Sequence, residues 1–202
     1  MKVVLASKIP HKLVEISAIL QPLQVEVVLE SELGVDIEVE ETGQTFEENS
    51  FLKAHAVMQA TGLPALADDS GIAVDALNGA PGVYSARYGD DPALDDWGRL
   101  LLLLKNTEHV PDGQRQAQFV SVITLVYPDG RVIQARGEAH GELLREAHGQ
   151  GGFGYDPIFY YPPAGKTFAE LTAGEKNRVS HRARALQLFY EKLCKEAEHA
   201  DQ

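Results

Sequence analysis

The sequence has little cysteine: Cys194 is the only one among its 202 residues. A disulfide within the chain is therefore excluded, and the lone thiol fits a reducing compartment, so we expect a cytoplasmic protein. The sequence also lacks any apolar run that could span a bilayer, and the apolar start at 3–6 is too short for a signal peptide. We therefore expect no membrane partner.

Basic residues are also few. Lysine and arginine number 18 against 30 aspartates and glutamates, which gives a formal net charge of −12. This charge disfavours nonspecific binding to nucleic acid, so we expect no nucleic-acid partner. An anionic ligand would need a local basic pocket or a metal ion. The length and the 44% apolar content suit one large globular domain, or two small lobes around one core.

Several common ligand motifs are missing or incomplete. The seven histidines form no HExxH pattern and there is no CxxC, so a structural zinc site is not expected. Gly149–Gly154 matches GxGxxG, but Pro157 and the β-prone residues 158–161 follow it, whereas a dinucleotide site requires a helix there. Gly165–Thr167 resembles the end of a P-loop, yet Tyr160 stands where that motif needs its first glycine. Both nucleotide motifs are therefore rejected.

The stretch at 65–71, Ala-Leu-Ala-Asp-Asp-Ser-Gly, is the strongest candidate for a site. Its apolar residues predict the end of a buried strand, which is where open α/β sheets place their ligands. Asp68 and Asp69 repel each other, so hydrogen bonds, a basic side chain or a divalent cation must hold them. Neighbouring side chains of a strand point to opposite faces, which predicts different roles for the two. A simple turn closed by Gly71 is the alternative.

The N-terminal segment predicts a second candidate site. Residues 2–6 indicate a buried strand, and a loop at Ser7–Lys12 leads into a helix that begins at Pro10. Free N–H groups at a helix start, together with the charge of Lys12, suit a phosphate. Most loops between a strand and a helix bind nothing, so this signal is weak when taken alone.

The other predicted elements complete an α/β fold. A capping box at 45–48 starts a helix that ends at Gly62, and another helix opens at Asp91. Four apolar side chains of the latter are expected to point inward: Trp97, Leu100, Leu101 and Leu104. The remaining predictions are a hairpin over 115–127 and 131–140, a strand at 158–161 and a last helix over 179–197.

Three features together indicate a nucleoside triphosphate ligand. The first is the phosphate loop, and the second is a set of carboxylates able to hold Mg²⁺: Glu40, Glu41, Asp68 and Asp69. The third is a basic segment that, with Phe153 and Tyr155, could frame a base by stacking and hydrogen bonding. Its members are Lys166, Lys176, Arg178, His181, Arg182 and Arg184. Taken alone, such a segment is more often solvated charge on a helix.

At these residues the chain resembles the inosine triphosphate pyrophosphatase family, the dITP/XTP pyrophosphatases. The matching segments are 40–54, 63–71, 74–88, 151–159 and 166–182. The resemblance implies a single domain over 1–202, with an elongated two-lobed α/β fold around a mixed central β-sheet flanked by helices and an active-site cleft between the lobes. It also implies a homodimer and the Mg²⁺-dependent hydrolysis of noncanonical purine triphosphates (dITP, ITP, XTP) to the monophosphate and pyrophosphate.

The resemblance also implies roles for individual residues. Glu40 and Asp69 match metal ligands, and Asp69 matches the base that takes a proton from the attacking water. Residues matching substrate contacts are Ser7, Lys8, Ile9, Pro10, His11, Lys12 and Ser70. Those matching contacts to the base or to phosphate are Phe153, Gly154, Tyr155, Asp156, Lys176, His181 and Arg182. Donors from His181 and Arg182 would suit a 6-keto oxygen and leave the amino group of adenine unpaired.

Ile9 departs from the family pattern, which has asparagine at this position. An isoleucine side chain cannot hydrogen-bond a phosphate, although backbone N–H groups and Lys8 can compensate. We therefore expect a raised KM rather than lost activity, and Ile9→Asn should lower KM for the triphosphate.

Two rival interpretations remain open. One is a Maf-like nucleotide pyrophosphatase acting on modified pyrimidine or methylated nucleotides; the pair His181–Arg182 and the segment 153–156 argue against it. The other is a noncatalytic nucleotide sensor, which Ile9 motivates and the intact Asp69 opposes, because a sensor has no need for a base.

Overall fold

The computed structural model describes residues 2–7 and 10–200 of the chain. The contacts predicted for Lys8 and Ile9 lie outside the described residues, as do those of the side chains of Pro10 and His11. Within the described ranges, no helix combines the length and the apolar character needed to cross a membrane.

A mixed seven-stranded sheet, in the order β2-β1-β3-β4-β5-β6-β7, forms the centre of the α/β fold. The strands are β1 Lys2–Leu5, β2 Glu26–Leu29, β3 Ala65–Val74, β4 Gln116–Val126, β5 Val132–Leu143, β6 Phe159–Tyr161 and β7 Lys166–Thr167. β1 pairs in parallel with β2 and β3, whereas β6 is antiparallel to both β5 and β7. The predicted hairpin is confirmed as β4 and β5, whose turn is closed by the Tyr127 N–H donating to Arg131 O.

Five α-helices flank these strands within the described ranges: α1 Pro10–Leu20, α2 Phe46–Thr61, α3 Asp96–Asn106, α4 Ala173–Val179 and α5 His181–Ala200. The predicted capping box is confirmed, because Thr45 and Glu48 exchange hydrogen bonds at the start of α2. Gly62 ends that helix at a φ of 66°, which a residue without a side chain adopts at little cost. The last predicted helix is divided at Ser180, whose extended backbone separates α4 from α5.

The chain divides into two compact units. The first unit contains Met1–Asp69, Ser121–Gly137 and Arg184–Gln202, and the second contains Ser70–Val120 and Glu138–Ala183. The core of the first unit includes Leu5, Ile16, Leu66, Ile123 and Phe189. The core of the second includes Leu100, Phe119, Ile158, Phe159 and Phe168. Each unit therefore buries an apolar core of its own.

Three details of the sequence prediction are wrong. The helix predicted to open at Asp91 begins at Asp96, with Asp95 as its N-cap. Residues 68–71 form no turn, because β3 continues without interruption from Ala65 to Val74. In α3, Leu100 is buried as predicted, but Trp97 and Leu101 are 52% and 48% exposed. The apolar stripe of this helix is wider than the surface that covers it, so periodicity alone overstated its buried face.

Candidate functional site

The two adjacent carboxylates lie in the middle of β3 and are almost completely buried, with Asp68 4% and Asp69 7% exposed. Asp68 accepts a hydrogen bond from Ser121 Oγ at 2.8 Å and pairs with Lys12 Nζ at 2.8 Å. Asp69 instead pairs with Lys53 Nζ at 2.6 Å. The two neighbouring carboxylates therefore meet different basic side chains, which agrees with side chains that point to opposite faces of a strand.

Lys53 of α2 joins two carboxylates of the first unit. Its Nζ lies 2.6 Å from Asp69 Oδ1 and 3.0 Å from Glu41 Oε1. Burial by itself lowers the pKa of Lys53, but the negative charges of Asp69 and Glu41 outweigh that effect and the pKa lies above its usual value. Lys53 is therefore a permanent cation between the two carboxylates.

Asp69 keeps one oxygen unused. Its Oδ2 is buried and has no hydrogen-bond partner in the part of the chain that the structure describes. Burial raises the pKa of Asp69 above its ordinary value, and the positive charge of Lys53 opposes this only in part. A buried acceptor without a partner is costly, and such atoms occur at sites that hold an ion, a water or a reacting group. The free oxygen and the raised pKa together suit a proton acceptor or a metal ligand.

The structure separates the two candidate glutamates. Glu41 is half-buried and bonded to Lys53, whereas Glu40 is exposed. Glu41 is thus the member of the pair that reaches the charged group around Asp69. The resemblance implied Glu40. Residue spacing alone does not show which of two neighbouring side chains in a loop faces a given partner.

The carboxylates of the first unit can supply only some of the ligands that a metal ion needs. Among residues 2–7 and 10–200, no group of three or more histidine, cysteine, aspartate or glutamate side chains is arranged to hold a metal ion. Mg²⁺ commonly uses one or two carboxylates and takes its other ligands from water and substrate phosphates. The unpartnered Asp69 Oδ2, with a glutamate of the 40–41 pair, fits that mode of binding.

A second cluster, in the second unit, surrounds the exposed ring of Phe153. This ring is 52% exposed, and Lys176 Nζ lies 4.4 Å from its centroid. The guanidinium carbon of Arg182 lies 5.9 Å from the same centroid. An open aromatic face with two cations beside it is suited to stacking and to binding a polar, electron-rich ring.

Asp156 fixes the loop that carries this ring. Its buried Oδ2 accepts a 2.8 Å hydrogen bond from the Phe153 N–H and pairs closely with Lys176 Nζ. Burial raises the pKa of Asp156, and Lys176 opposes the shift in part. Gly152 has a φ of 70° and no room for a Cβ, which would collide with the Asp156 carboxylate. Asp156 therefore holds the glycine-rich segment firmly at Phe153.

The other residues predicted to contact the base are more buried. The His181 ring stacks on Phe119 with centroids 4.8 Å apart and planes at 13°. The Tyr155 ring is buried and its hydroxyl donates to Ser85 O at 2.7 Å, while burial raises its pKa. Tyr155 thus anchors the loop, and Phe153 alone offers an open ring there. Ser7 and Ser70 are half-buried.

Sequence reasoning missed two contributors to the candidate site. Lys53 lies eight residues before the end of a helix that looked merely structural. Ser121 reaches Asp68 across 53 residues of chain. Lys53 could have been found, because the predicted helix leads directly to the strand that carries Asp69. Nothing in the spacing of β4 distinguishes Ser121.

Comparison with known proteins gives a consistent result. A sequence model of the Ham1 family matches residues 3–192. The dITP/XTP pyrophosphatase of Pectobacterium atrosepticum is 50% identical over 196 residues, covering 95% of this chain and 98% of that protein. The Thermus thermophilus protein of the same name is 49% identical over 191 residues, covering 95% and 91% of the two chains. The solved Ham1 protein of Staphylococcus aureus is similar with a TM-score of 0.90 and 40% identity, over 97% of this chain and 100% of that one.

Proposed function

This chain belongs to the Ham1 family, and from that premise we propose that it is a nucleoside triphosphate pyrophosphatase. It hydrolyses noncanonical purine triphosphates (dITP, ITP and XTP) to the monophosphate and pyrophosphate, and so removes them from the nucleotide pool. The observation that carries this proposal is the buried, unpartnered Oδ2 of Asp69 beside the cation of Lys53. The names of the similar proteins supply the substrate class.

The cofactor proposed is Mg²⁺, held by Asp69 and a glutamate of the 40–41 pair. When bound, Mg²⁺ neutralises phosphate charge and makes a water molecule easier to deprotonate. Glu40 is the glutamate that the resemblance implies, and Glu41 is the one that lies on Lys53. The small number of protein carboxylates favours Mg²⁺, because the phosphates of the substrate can provide the remaining ligands.

Asp69 acts as the general base. Its carboxylate takes a proton from water as the water oxygen forms a bond to the α-phosphorus. The bond between that phosphorus and the oxygen leading to the β-phosphorus breaks, and pyrophosphate leaves with the electron pair. Burial moves the pKa of Asp69 upward, toward neutral pH, and a carboxylate with a higher pKa is a stronger proton acceptor. Lys53 stays protonated and stabilises the charge that develops.

The substrate is recognised at its two ends. Lys12 and the start of α1 bind phosphate, because a helix N-terminus and a lysine both favour an anion. We propose that the ring of Phe153 stacks on the purine and that Lys176, His181 and Arg182 bind its polar edge or a phosphate. The cations of Lys176 and Arg182 close to the Phe153 ring support this proposal. We also propose a cytoplasmic homodimer, as the single thiol of Cys194 and the family resemblance together suggest.

A substrate panel tests the proposal. Purified protein is mixed with Mg²⁺ and dITP, XTP, ITP, GTP, ATP or dUTP in turn, and released pyrophosphate is measured. We expect the first three to be hydrolysed far faster than GTP and ATP. Preference for dUTP or a modified pyrimidine would support a Maf-like enzyme. Binding of dITP without any pyrophosphate would support a sensor.

A further inference from the structure

The loop that precedes α2 is held by side chains of that helix. The Gly43 N–H donates to Asn49 Oδ1 at 2.8 Å. The N–H groups of Gln44 and Thr45 donate to Glu48 Oε2 at 2.6 and 3.2 Å. Three successive backbone donors are therefore fixed by two neighbouring residues of one helix.

The contact between Gly43 and Asn49 leaves no room for a side chain at position 43. Asn49 is completely buried, with 0% of its surface exposed. A Cβ added at Gly43 would lie 2.6 Å from Asn49 Oδ1 and 2.7 Å from Glu48 Cβ. Since real Cβ atoms do not approach other atoms so closely, the backbone at Gly43 rests directly on the asparagine.

Asn49 and Lys53 are one helical turn apart, so they share a face of α2. Asn49 holds Gly43, and Lys53 holds Glu41 and Asp69. We propose that Asn49 is a positioning residue, whose buried amide sets the loop so that the Glu41 carboxylate meets Lys53 beside Asp69. The expected effect on catalysis rests on the proposed function, whereas the expected effect of Asn49 on the position of Glu41 does not.

A purely stabilising role explains Asn49 poorly. The start of α2 is already capped by Thr45 and Glu48, so Asn49 is not needed to satisfy the first turn. Its Nδ2 is buried without a hydrogen-bond partner among the described residues, which is a cost that an apolar side chain would avoid. The hydrogen bond that Asn49 Oδ1 accepts from the Gly43 N–H explains this buried amide better.

The test compares Asn49→Ala with Ser50→Ala in the full-length protein. Ser50 is the next residue of α2 and is equally buried, but its hydroxyl bonds to Thr124 Oγ1 rather than to the loop. We expect Asn49→Ala to lower kcat/KM for dITP by about 100-fold, the scale of a 1 Å misplacement at a reacting centre. Ser50→Ala should lose stability but keep kcat/KM within a few-fold. Equal losses of activity in the two variants would overturn the inference.

A double-mutant cycle shows whether Asn49 acts through Glu41. If it does, Asn49→Ala should cost little further activity when added to Glu41→Gln. An undiminished effect in that background means that Asn49 acts by another route, and the inference fails. Gly43→Ala, which displaces the same loop and leaves Asn49 intact, should reproduce the effect of Asn49→Ala.

Two measurements do not depend on activity. Crystal structures of the variants should show the Glu41–Lys53 distance, 3.0 Å in the native protein, opened beyond about 4 Å in Asn49→Ala and unchanged in Ser50→Ala. Hydrogen exchange at the Gly43 N–H should accelerate only in the former. An unmoved Glu41 refutes the positioning role even if the native protein hydrolyses dITP. A native protein that releases no pyrophosphate while Glu41 moves refutes the proposed function instead.

Discussion

Two of the buried aspartate–lysine pairs, Asp69–Lys53 in the first unit and Asp156–Lys176 in the second, differ in whether the carboxylate keeps an unused oxygen. Asp69 gives one oxygen to Lys53 and keeps the other without a partner in the described chain. Asp156 accepts from both Lys176 and the Phe153 N–H through Oδ2, and neither of its oxygens is among the buried atoms left without a partner in the described chain. Burial raises the pKa of both carboxyl groups. The same pair of residue types thus leaves an acceptor available in one unit and fixes a loop in the other.

This difference teaches that burial and charge pairing do not by themselves identify a reacting group. Both aspartates have a perturbed pKa and both contact a lysine, so either feature alone would select both. The hydrogen bonds that remain unmade separate them. We therefore propose that Asp69 carries the chemistry and that Asp156 shapes the base-binding surface, and three substitutions, one of them used in two measurements, test that division.

The largest effect is expected for Asp69→Asn. An amide cannot take the proton of the attacking water, so kcat for dITP should fall by about 10³-fold, within the usual range for a general base. The thermal midpoint should stay near that of the native protein, because the side chain keeps its shape and Glu41 still pairs with Lys53. Steady-state pyrophosphate release and calorimetry measure the two quantities. Asp75→Asn, at an exposed aspartate just after β3, serves as the control. Near-normal turnover by Asp69→Asn would remove the contrast with Asp156.

Asp156→Ala should act mainly on stability and substrate affinity. Removing one partner of a buried ion pair leaves Lys176 uncompensated, and we expect a loss of about 3 kcal/mol in the free energy of unfolding. The loop loses the bond to the Phe153 N–H, so KM for dITP should rise more than kcat falls. Urea unfolding and saturation kinetics check this, with exposed Lys105→Ala as the control. A variant with native KM and reduced kcat would place Asp156 in the chemistry.

Phe153→Ala sharpens the comparison at the ring itself. Stacking of a base on an aromatic side chain is worth roughly 1–3 kcal/mol, so KM should rise about tenfold or more while kcat stays nearly constant. Tyr84→Ala removes another exposed ring of the second unit, 53% accessible, and should leave KM unchanged. An equal response of the two variants would argue that Phe153 does not meet the base.

The smallest effect concerns the pH dependence of stability in metal-free buffer. The pKa of Asp69 is raised above 3.8, so its contribution to stability is present below that pH and is lost as pH rises through the raised value. Asp69→Asn should therefore gain stability relative to the native protein as pH rises through this window. Urea unfolding at a series of pH values measures the difference.

Asp129 provides a control of opposite sign. Its pKa is lowered from 3.8, first by the hydrogen bond from the Arg131 N–H, so its contribution is present above that pH and lost as pH falls. Asp129→Asn should accordingly lose stability relative to the native protein as pH rises. The same slope in both variants would contradict the assignment of burial as the dominant influence on Asp69.

Local sequence signals predicted much of the fold. The capping box at Thr45 and Glu48, the glycine stop at Gly62 and the hairpin turn at 128–130 are determined by residues close together in the chain, and all are confirmed. The opposite partners of Asp68 and Asp69 were predictable for a similar reason, since side chains alternate along any strand.

The details of the candidate site depend on contacts between distant segments. The selection of Glu41 over Glu40 as the partner of Lys53 depends on contacts between the loop and α2, such as the bond from the Gly43 N–H to Asn49, which no spacing rule records. The unbroken course of β3 was missed because Ser70 and Gly71 resemble a turn, while pairing with neighbouring strands stabilises an extended backbone there. Local preference yields to tertiary pairing at such positions.

Because β3 is continuous, the number of residues that precede Asp68 in the strand determines the face to which each carboxylate points. Inserting or deleting a single residue ahead of Asp68 would move every following side chain of the strand to the opposite face of the sheet. The carboxylate now facing Lys12 and Ser121 would then face Lys53, and its neighbour would take the reverse place. Between Ala65 and Asp69 the residue count itself therefore decides which of the two carboxylates faces Lys53.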